Sequence, residues 1–200
     1  ATAPAGTEAP APAPSAPLVG AHYHVWYPSN FDQGFLRGRL DPPQEPELGR
    51  YRSDDPAVAE QQIAWASAAG IDFFTLDWWP TRPEQNANAL SGFLEARNVG
   101  DIDFAVFYEA WDLGFDPATE STVMDAATIE RLVADMETVA RTFFDHPSYL
   151  RVGGRPVVIM YLSRTMTGDV AGAIAAVRAR MAELGHDVLL IGDEIFWRQP

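Results

Sequence analysis

Carboxylates and aromatic rings recur together at a few points along this 200-residue chain. Glu109 directly follows an apolar run and has Trp111 two residues further on, and Asp77 follows an earlier apolar run, directly before Trp78 and Trp79. Flat aromatic faces stack on the C–H surfaces of sugars, and paired carboxyl groups supply the acid, base or nucleophile of glycoside cleavage. Glu109 and Asp77 are therefore the candidate catalytic carboxylates of a carbohydrate site.

The neighbours of these carboxylates suggest a role for each, with alternatives. Desolvation by adjacent aromatic rings disfavours the charged form of a carboxyl group and keeps a general acid protonated, which favours Glu109 as an acid. Glu109 would otherwise accept hydrogen bonds from ligand hydroxyls or pair with a cation such as Arg82. Asp77 would otherwise cap the next turn. One of Trp78 and Trp79 would form the floor of a sugar subsite while the other packs outward.

Two histidines stand two residues apart, which places them on one face of a strand. His22 and His24 are compatible with a metal site completed by a carboxylate, but neither H-E-x-x-H nor a Cys/His cluster occurs. Hydroxyl-binding or core histidines are therefore preferred, no metal or cofactor is predicted, and a metal-dependent hydrolase is the last-ranked alternative. The other candidate substrate-binding residues also stand at strand ends: Trp26, Tyr27, Trp111, Tyr161, Asp193 and Glu194.

Apolar runs and helical patterns alternate along the chain. The five runs read as strands are 18–23, 71–76, 104–108, 156–162 and 188–191. The four helices are expected at about 56–69 after a capping Asp54 or Asp55, 84–97, 126–144 and 169–184. Such alternation predicts an α/β fold with a parallel sheet and right-handed crossovers.

Two parallel architectures compete for this pattern. A doubly wound nucleotide-binding sheet is expected to carry a glycine-rich phosphate turn, and neither G-x-G-x-x-G nor G-x-x-x-x-G-K-[ST] occurs. A polar or aromatic cluster follows every strand, as on the catalytic face of a (β/α)8 TIM-type barrel. A complete barrel needs about 250 residues. We therefore expect residues 18–200 to form about the first five strands of a barrel; the alternative is a compact five-stranded sheet.

Composition excludes several classes of function. The formal net charge is −14, from 28 acidic and 14 basic residues, so a nucleic acid would be repelled. The absence of cysteine excludes disulfides and cysteine nucleophiles, and without a G-x-S-x-G elbow serine catalysis has little support. Apolar runs are too short for a transmembrane segment.

The first seventeen residues differ from the rest. They read ATAPAGTEAPAPAPSAP, which is almost entirely Ala, Pro, Ser and Thr. Such a composition cannot bury a core and is typical of an extended, disordered linker. It resembles the segment that follows a cleaved signal peptide or a lipid anchor, so we expect a secreted or cell-surface-tethered protein.

Several motifs, in order, resemble glycoside hydrolase family 99 and the related family 99-like domains. They cover about residues 18–163 and comprise HVWY at 24–27, PELGRYRSDDP at 46–56, AGIDFF at 69–74, DWW at 77–79, FDHPSY at 144–149, and GRPVV at 154–158 with the Tyr at 161. The resemblance implies a (β/α)8 barrel that cleaves α-mannosides internally, with retention and without a metal. It makes Glu109 the carboxylate after strand three and Trp26, Tyr27, Trp78 and Trp79 the aromatic subsites.

The chain departs from that family at two points. Glu109-Ala110-Trp111 stands where the family more often has Glu-Pro-Tyr. The family's catalytic pair is a Glu-x-x-Glu motif late in the barrel, and no Glu-x-x-Glu occurs in these 200 residues. Either the pair lies beyond residue 200, or the protein is a glycan-binding or glycan-assembly module that does not cleave.

Overall fold

The computed structural model describes residues 17–31, 42 and 45–193. Most of the expected linker, residues 1–16, therefore lies outside the described residues, as does Glu194. The described residues form eight strands, in chain order β1 (Gly20–Tyr23), β2 (Phe73–Trp78), β3 (Asp103–Tyr108), β4 (Thr122–Met124), β5 (Arg151–Val152), β6 (Arg155–Met160), β7 (Met166–Gly168) and β8 (Leu189–Gly192). The α-helices among them are α1 (Pro56–Ala68), α2 (Pro83–Asn88), α3 (Ala126–Phe143) and α4 (Val170–Glu183).

Five of the six strands of the main sheet are parallel, in the order β1-β2-β3-β6-β8, and the two-residue β5 pairs antiparallel with the start of β6. Each of these strands neighbours the one that precedes it among the five, with a helix in the connection. A doubly wound sheet would reverse its strand order at a switch point. Successive neighbours are instead what a β/α barrel requires. The predicted parallel α/β sheet is confirmed for the described residues.

Aspartate caps fix the starts of three helices. Asp55, Asp125 and Asp169 each accept a hydrogen bond from a backbone N–H in the first turn of α1, α3 and α4, at 3.0, 2.8 and 2.9 Å. A capped first turn satisfies a donor that the helix itself leaves unpaired. Gly70 and Gly185, both at positive φ, follow the ends of α1 and α4. No helix among the described residues is long and apolar enough to cross a membrane.

The second helix is shorter and less regular than the sequence predicts. It was expected over 84–97, but α2 passes into one wide π-helical turn at Ala89–Phe93 and ends there. The backbone N–H of Arg97 donates to the Glu60 carboxylate of α1 at 3.2 Å, and the Arg97 guanidinium binds the same carboxylate. This tertiary ion pair replaces the last helical turn.

The two faces of the sheet carry different residues because side chains alternate along each strand. On the outer face, Phe104 and Trp78 pack edge-on against Phe143 of α3, with ring centroids 6.1 and 5.0 Å apart. The buried hydroxyl of Tyr108 donates to Asp135 of α3 at 2.6 Å. The intervening residues of β2 and β3 therefore face the opposite, inner side, and Glu109 continues that alternation.

A second, two-stranded sheet joins two loops at the carboxyl edge. Strand β4 pairs in parallel with β7, through Thr122↔Met166, Val123↔Thr167 and Met124↔Gly168. It ties the segment after β3 to the segment after β6. These two strands were not predicted from the sequence, because three residues are too few to show an alternating pattern.

Replacing Gly92 with alanine should destabilise the protein by about 1–3 kcal/mol, the usual cost of overpacking. The added Cβ would collide with the backbone carbonyl of Ser53, which cannot move as a flexible side chain can. Gly100→Ala is the matched control, since no atom lies within 4 Å of its Cβ position. In urea unfolding, the free energy of unfolding of the control should lie within about 0.5 kcal/mol of that of the wild type. Equal stability of the two variants would contradict the close approach at Gly92.

Candidate functional site

Asp77 and Glu109 lie side by side on the inner face of the sheet. Asp77 is in register with Phe107, and Trp78 is in register with Tyr108. The backbone N–H of Glu109 extends the ladder by one bond, to the carbonyl of Trp78 at 3.0 Å. The two residues are only 1% and 4% exposed. The ends of β2 and β3 thus place two buried carboxyl groups together.

One oxygen of Asp77 is held in place and the other is not. Asp77 Oδ2 accepts a hydrogen bond from Trp79 Nε1 at 2.9 Å and lies 3.4 Å from His24 Nδ1. Asp77 Oδ1 and Glu109 Oε2 have no hydrogen-bond partner among the described residues. Buried polar atoms are nearly always paired, so two such oxygens in one place indicate a site for a polar ligand.

Glu109 is the strongly perturbed acid of this site. Burial, the charge of Asp77, a hydrogen bond shared with Asp77 and the charge of Asp112 together raise its pKa to about 9, although the charge of Arg82 acts in the opposite direction. Glu109 is therefore protonated at neutral pH and can donate a hydrogen bond or a proton. The preceding residue, Tyr108, faces the opposite side of the sheet, where its hydroxyl contacts Asp135 of α3, so it does not desolvate Glu109.

The histidines and Trp26 form one wall of the inner site. The rings of His24 and Trp26 stack with centroids 4.1 Å apart and an interplanar angle of 3°. His22 Nδ1 lies 2.6 Å from Thr75 Oγ1, and burial followed by the charge of His24 lowers the pKa of His22. Across residues 17–31, 42 and 45–193, no three His, Asp or Glu side chains are grouped as metal ligands would be.

The two adjacent indoles point in different directions. Trp78 packs outward into the helix layer, whereas Trp79 bonds to Asp77 on the inner side. The side chain of Asn86 makes two hydrogen bonds to the Trp79 backbone. Its Oδ1 accepts from the Trp79 N–H at 3.0 Å, and its Nδ2 donates to the Trp79 carbonyl oxygen at 2.6 Å. The guanidinium carbon of Arg82 lies 3.8 Å from the Trp79 ring centroid. Asn86 was not predicted as a site residue, because its contact with Trp79 depends on how α2 folds back.

Tyr161 and Asp193 extend the inner face across β6 and β8. They directly follow Met160 and Gly192, which are in register. Asp193 Oδ1 accepts from the Ser163 N–H at 3.2 Å, while Oδ2 has no partner among the described residues. Burial raises the pKa of both Tyr161 and Asp193. The predicted neighbour Glu194 lies outside the described residues.

Two of the predicted aromatic residues lie in clusters of their own. Tyr27 packs against Phe31 and Tyr51, with centroids 4.6 and 4.9 Å away. Trp111 packs against Phe115 at 4.4 Å and is 38% exposed. The structure thus separates these two from the group that it brings together, which is His22, His24, Trp26, Asp77, Trp79 and Glu109.

Comparison with known proteins gives matches among solved structures. No family model matches the chain, and no curated protein does. A family GH99 endo-alpha-mannosidase from Bacteroides thetaiotaomicron, in complex with bis-tris propane, is 22% identical with a TM-score of 0.60 over 87% of this chain and 51% of that one. A second structure of a GH99 endo-alpha-mannosidase from that organism is 22% identical, with a TM-score of 0.59 over 87% of this chain and 54% of that one. A glycoside hydrolase-like protein is 20% identical, with a TM-score of 0.62 over 92% of this chain and 55% of that one.

These likenesses confirm the predicted fold. The chain has an α/β fold similar to that of these solved structures, and the GH99 structures among them are TIM barrels. It spans about half the length of those structures. The five strands in sequential order are therefore the barrel strands that the sequence predicted.

Glu109→Gln should flatten the dependence of stability on pH. The folded-state pKa of Glu109 lies above its unfolded value, so its protonated form contributes stability that is full below about pH 4.5 and is lost as pH rises toward about 9. Glutamine mimics the protonated acid and does not ionise. The free energy of unfolding is measured in urea at pH 5 and at pH 8. Between these pH values the stability of the variant relative to the wild type should rise by about 1 kcal/mol or more, which is roughly the free energy of one pKa unit.

Glu95→Gln is the matched control for this measurement, because Glu95 is exposed and precedes β3. Its unfolding free energy should follow that of the wild type at both pH values. If Glu109→Gln also runs parallel to the wild type, Glu109 ionises freely and the buried carboxyl pair is not as described.

Proposed function

We propose that the protein is a glycoside hydrolase acting on a polysaccharide or glycan, and that the inner face described above binds its sugar residues. The main support for this proposal is the buried pair of Asp77 and Glu109. Each has one carboxyl oxygen without a hydrogen-bond partner among the described residues. Sugar hydroxyls both donate and accept hydrogen bonds. A pyranose is therefore suited to a site where one carboxylate accepts and one protonated acid donates.

The chemistry of the pair supports a catalytic role for Glu109. Its raised pKa keeps a transferable proton at neutral pH, as a general acid that protonates a leaving oxygen needs. Asp77 is oriented by Trp79 Nε1, and its second oxygen has no hydrogen-bond partner among the described residues. His24 and Trp26 provide a flat wall beside the pair. We assign Glu109 as the acid and Asp77 as the partner carboxylate.

The substrate class is proposed from the solved structures. Two of them are named as GH99 endo-alpha-mannosidases. We propose α-mannoside linkages, cleaved within the chain of sugars, and a reaction that needs no metal or cofactor. Carbohydrate is then the principal partner. From the Ala/Pro-rich composition of residues 1–17 we further propose a secreted or surface-tethered location.

A second candidate is a glycan-binding or glycan-assembly module without hydrolytic activity. It is favoured by one observation, the absence of any Glu-x-x-Glu motif from the 200 residues. Both candidates predict that the inner face binds oligosaccharides. They differ in whether the proton of Glu109 is used.

Two substitutions of Glu109 distinguish the candidates. Glutamine keeps the hydrogen bonds of a protonated acid but cannot transfer a proton. In a hydrolase, Glu109→Gln should bind α-linked manno-oligosaccharides within about threefold of the wild type and should lower kcat by about 10²–10⁴, the usual contribution of a general acid. Glu109→Ala should also weaken binding by about tenfold, because it leaves ligand hydroxyls unpaired.

The measurements are calorimetric titration and chromatography of the products, with Glu95→Gln as the control. Binding by the wild type without products, weakened only by Glu109→Ala, would support the non-catalytic module instead. Unchanged binding and rate in both Glu109 variants would remove Glu109 from the site and contradict the proposal.

A further inference from the structure

A separate cleft of about 420 Å³ opens beside the inner face, between the segment after β3 and the segment after β6. Its wall includes Trp111, Phe115, Pro117, Thr119, Glu120 and Arg164. None of them forms part of the carboxyl pair. The volume falls in the range of small-molecule sites, which is about 300–1,000 Å³.

One side of this cleft is aromatic. Trp111 and Phe115 stack with centroids 4.4 Å apart and an interplanar angle of 36°, and Pro117 adjoins them. Trp111 remains 38% exposed, so part of its indole is open to a ligand. The other side carries the polar chains of Thr119, Glu120 and Arg164. A pyranose has the same division, with a C–H face and an edge of hydroxyls.

The cleft walls are built before any ligand arrives. The pairing of β4 with β7 joins the segments on either side of the cleft. In the turn that carries the polar wall, Asp116 exchanges backbone hydrogen bonds with Ser121 at 2.9 and 3.4 Å, and Thr119 Oγ1 donates to Asp116 Oδ2 at 3.1 Å. Arg131 holds the Leu113 carbonyl at 2.9 Å. Preorganised walls lower the entropic cost of binding.

The aromatic wall of the cleft begins on the turn that directly follows Glu109. Trp111 is two residues from Glu109, on the 3-10 turn Ala110–Leu113 that follows it. Asp112 of the same turn accepts a hydrogen bond from the Thr81 N–H at 3.2 Å, which anchors the turn to the segment after β2. One short segment therefore carries both Glu109 and Trp111.

We propose that this cleft is a second sugar subsite, which stacks a neutral hexopyranose of the same glycan on Trp111. The proposal deepens the proposed function and rests on it, because it assigns one sugar of the extended chain to a place outside the carboxyl pair. A neutral sugar is favoured because the cleft is lined by one carboxylate and one guanidinium, from Glu120 and Arg164, and has no net charge.

The test compares ligands of increasing length. The Kd of the full chain is measured by calorimetry for methyl α-mannoside and for α-linked manno-oligosaccharides of two to five residues. Trp111→Ala should weaken the binding of the longer oligosaccharides by about tenfold and change the monosaccharide by less than twofold. Trp111→Phe, which keeps an aromatic face, should retain most of the affinity for the long ligands.

Each outcome of this titration separates the subsite from the inner site. Equal losses for all lengths in Trp111→Ala, or no loss at any length, would overturn the subsite while leaving the proposed function intact. A loss in Trp111→Ala combined with no effect of Glu109→Ala would place sugar in the cleft and overturn the role of the carboxyl pair. No binding of any ligand by the folded wild type would overturn both. Circular dichroism melting of each variant checks that it is folded.

Discussion

The in-register pairing of β2 with β3 is the constraint on which the candidate site depends. Parallel neighbours in register present the same face at each level, so Asp77 and Glu109 share the inner side only because Trp78 pairs with Tyr108. A slip of one residue would turn one carboxyl group into the helix layer and one large aromatic ring inward. The outer contacts of Trp78 with Phe143 therefore fix the register that brings the carboxyl groups together.

That register forces two acids into a space with little solvent. Two adjacent carboxylates that are both charged and both buried would repel each other and lose hydration. The structure resolves this asymmetrically: Asp77 accepts from Trp79 Nε1, while burial keeps Glu109 protonated. A carboxyl group that stays protonated at neutral pH beside a second, oriented carboxyl group is what acid–base chemistry uses. The stability cost of the arrangement is thus tied to its chemical usefulness.

Patterns among neighbouring residues predicted most of the sheet and the helix starts. Features that depend on contacts between residues distant in the sequence could not be predicted. Asp55 and Pro56 indicate the start of α1 without any tertiary context. Asp55 caps the first turn through a local hydrogen bond, and the ring of Pro56 fixes its φ angle. Asp77 was found because it directly follows an apolar run. The end of the second helix was missed because Arg97 binds Glu60, 37 residues away. Such an ion pair leaves no periodic trace in the chain.

The inner site and the cleft at Trp111 are fixed by different parts of the fold. Backbone pairing of β2 and β3 positions the carboxyl groups, and it does not depend on the loops beyond the strands. The cleft depends on β4 and β7, which tie loop segments together at the edge of the sheet. Under the proposed function, changes in those loops should alter which sugars bind in the cleft without moving Asp77 or Glu109. Loop variation on a constant strand framework is how barrel folds diversify their specificity.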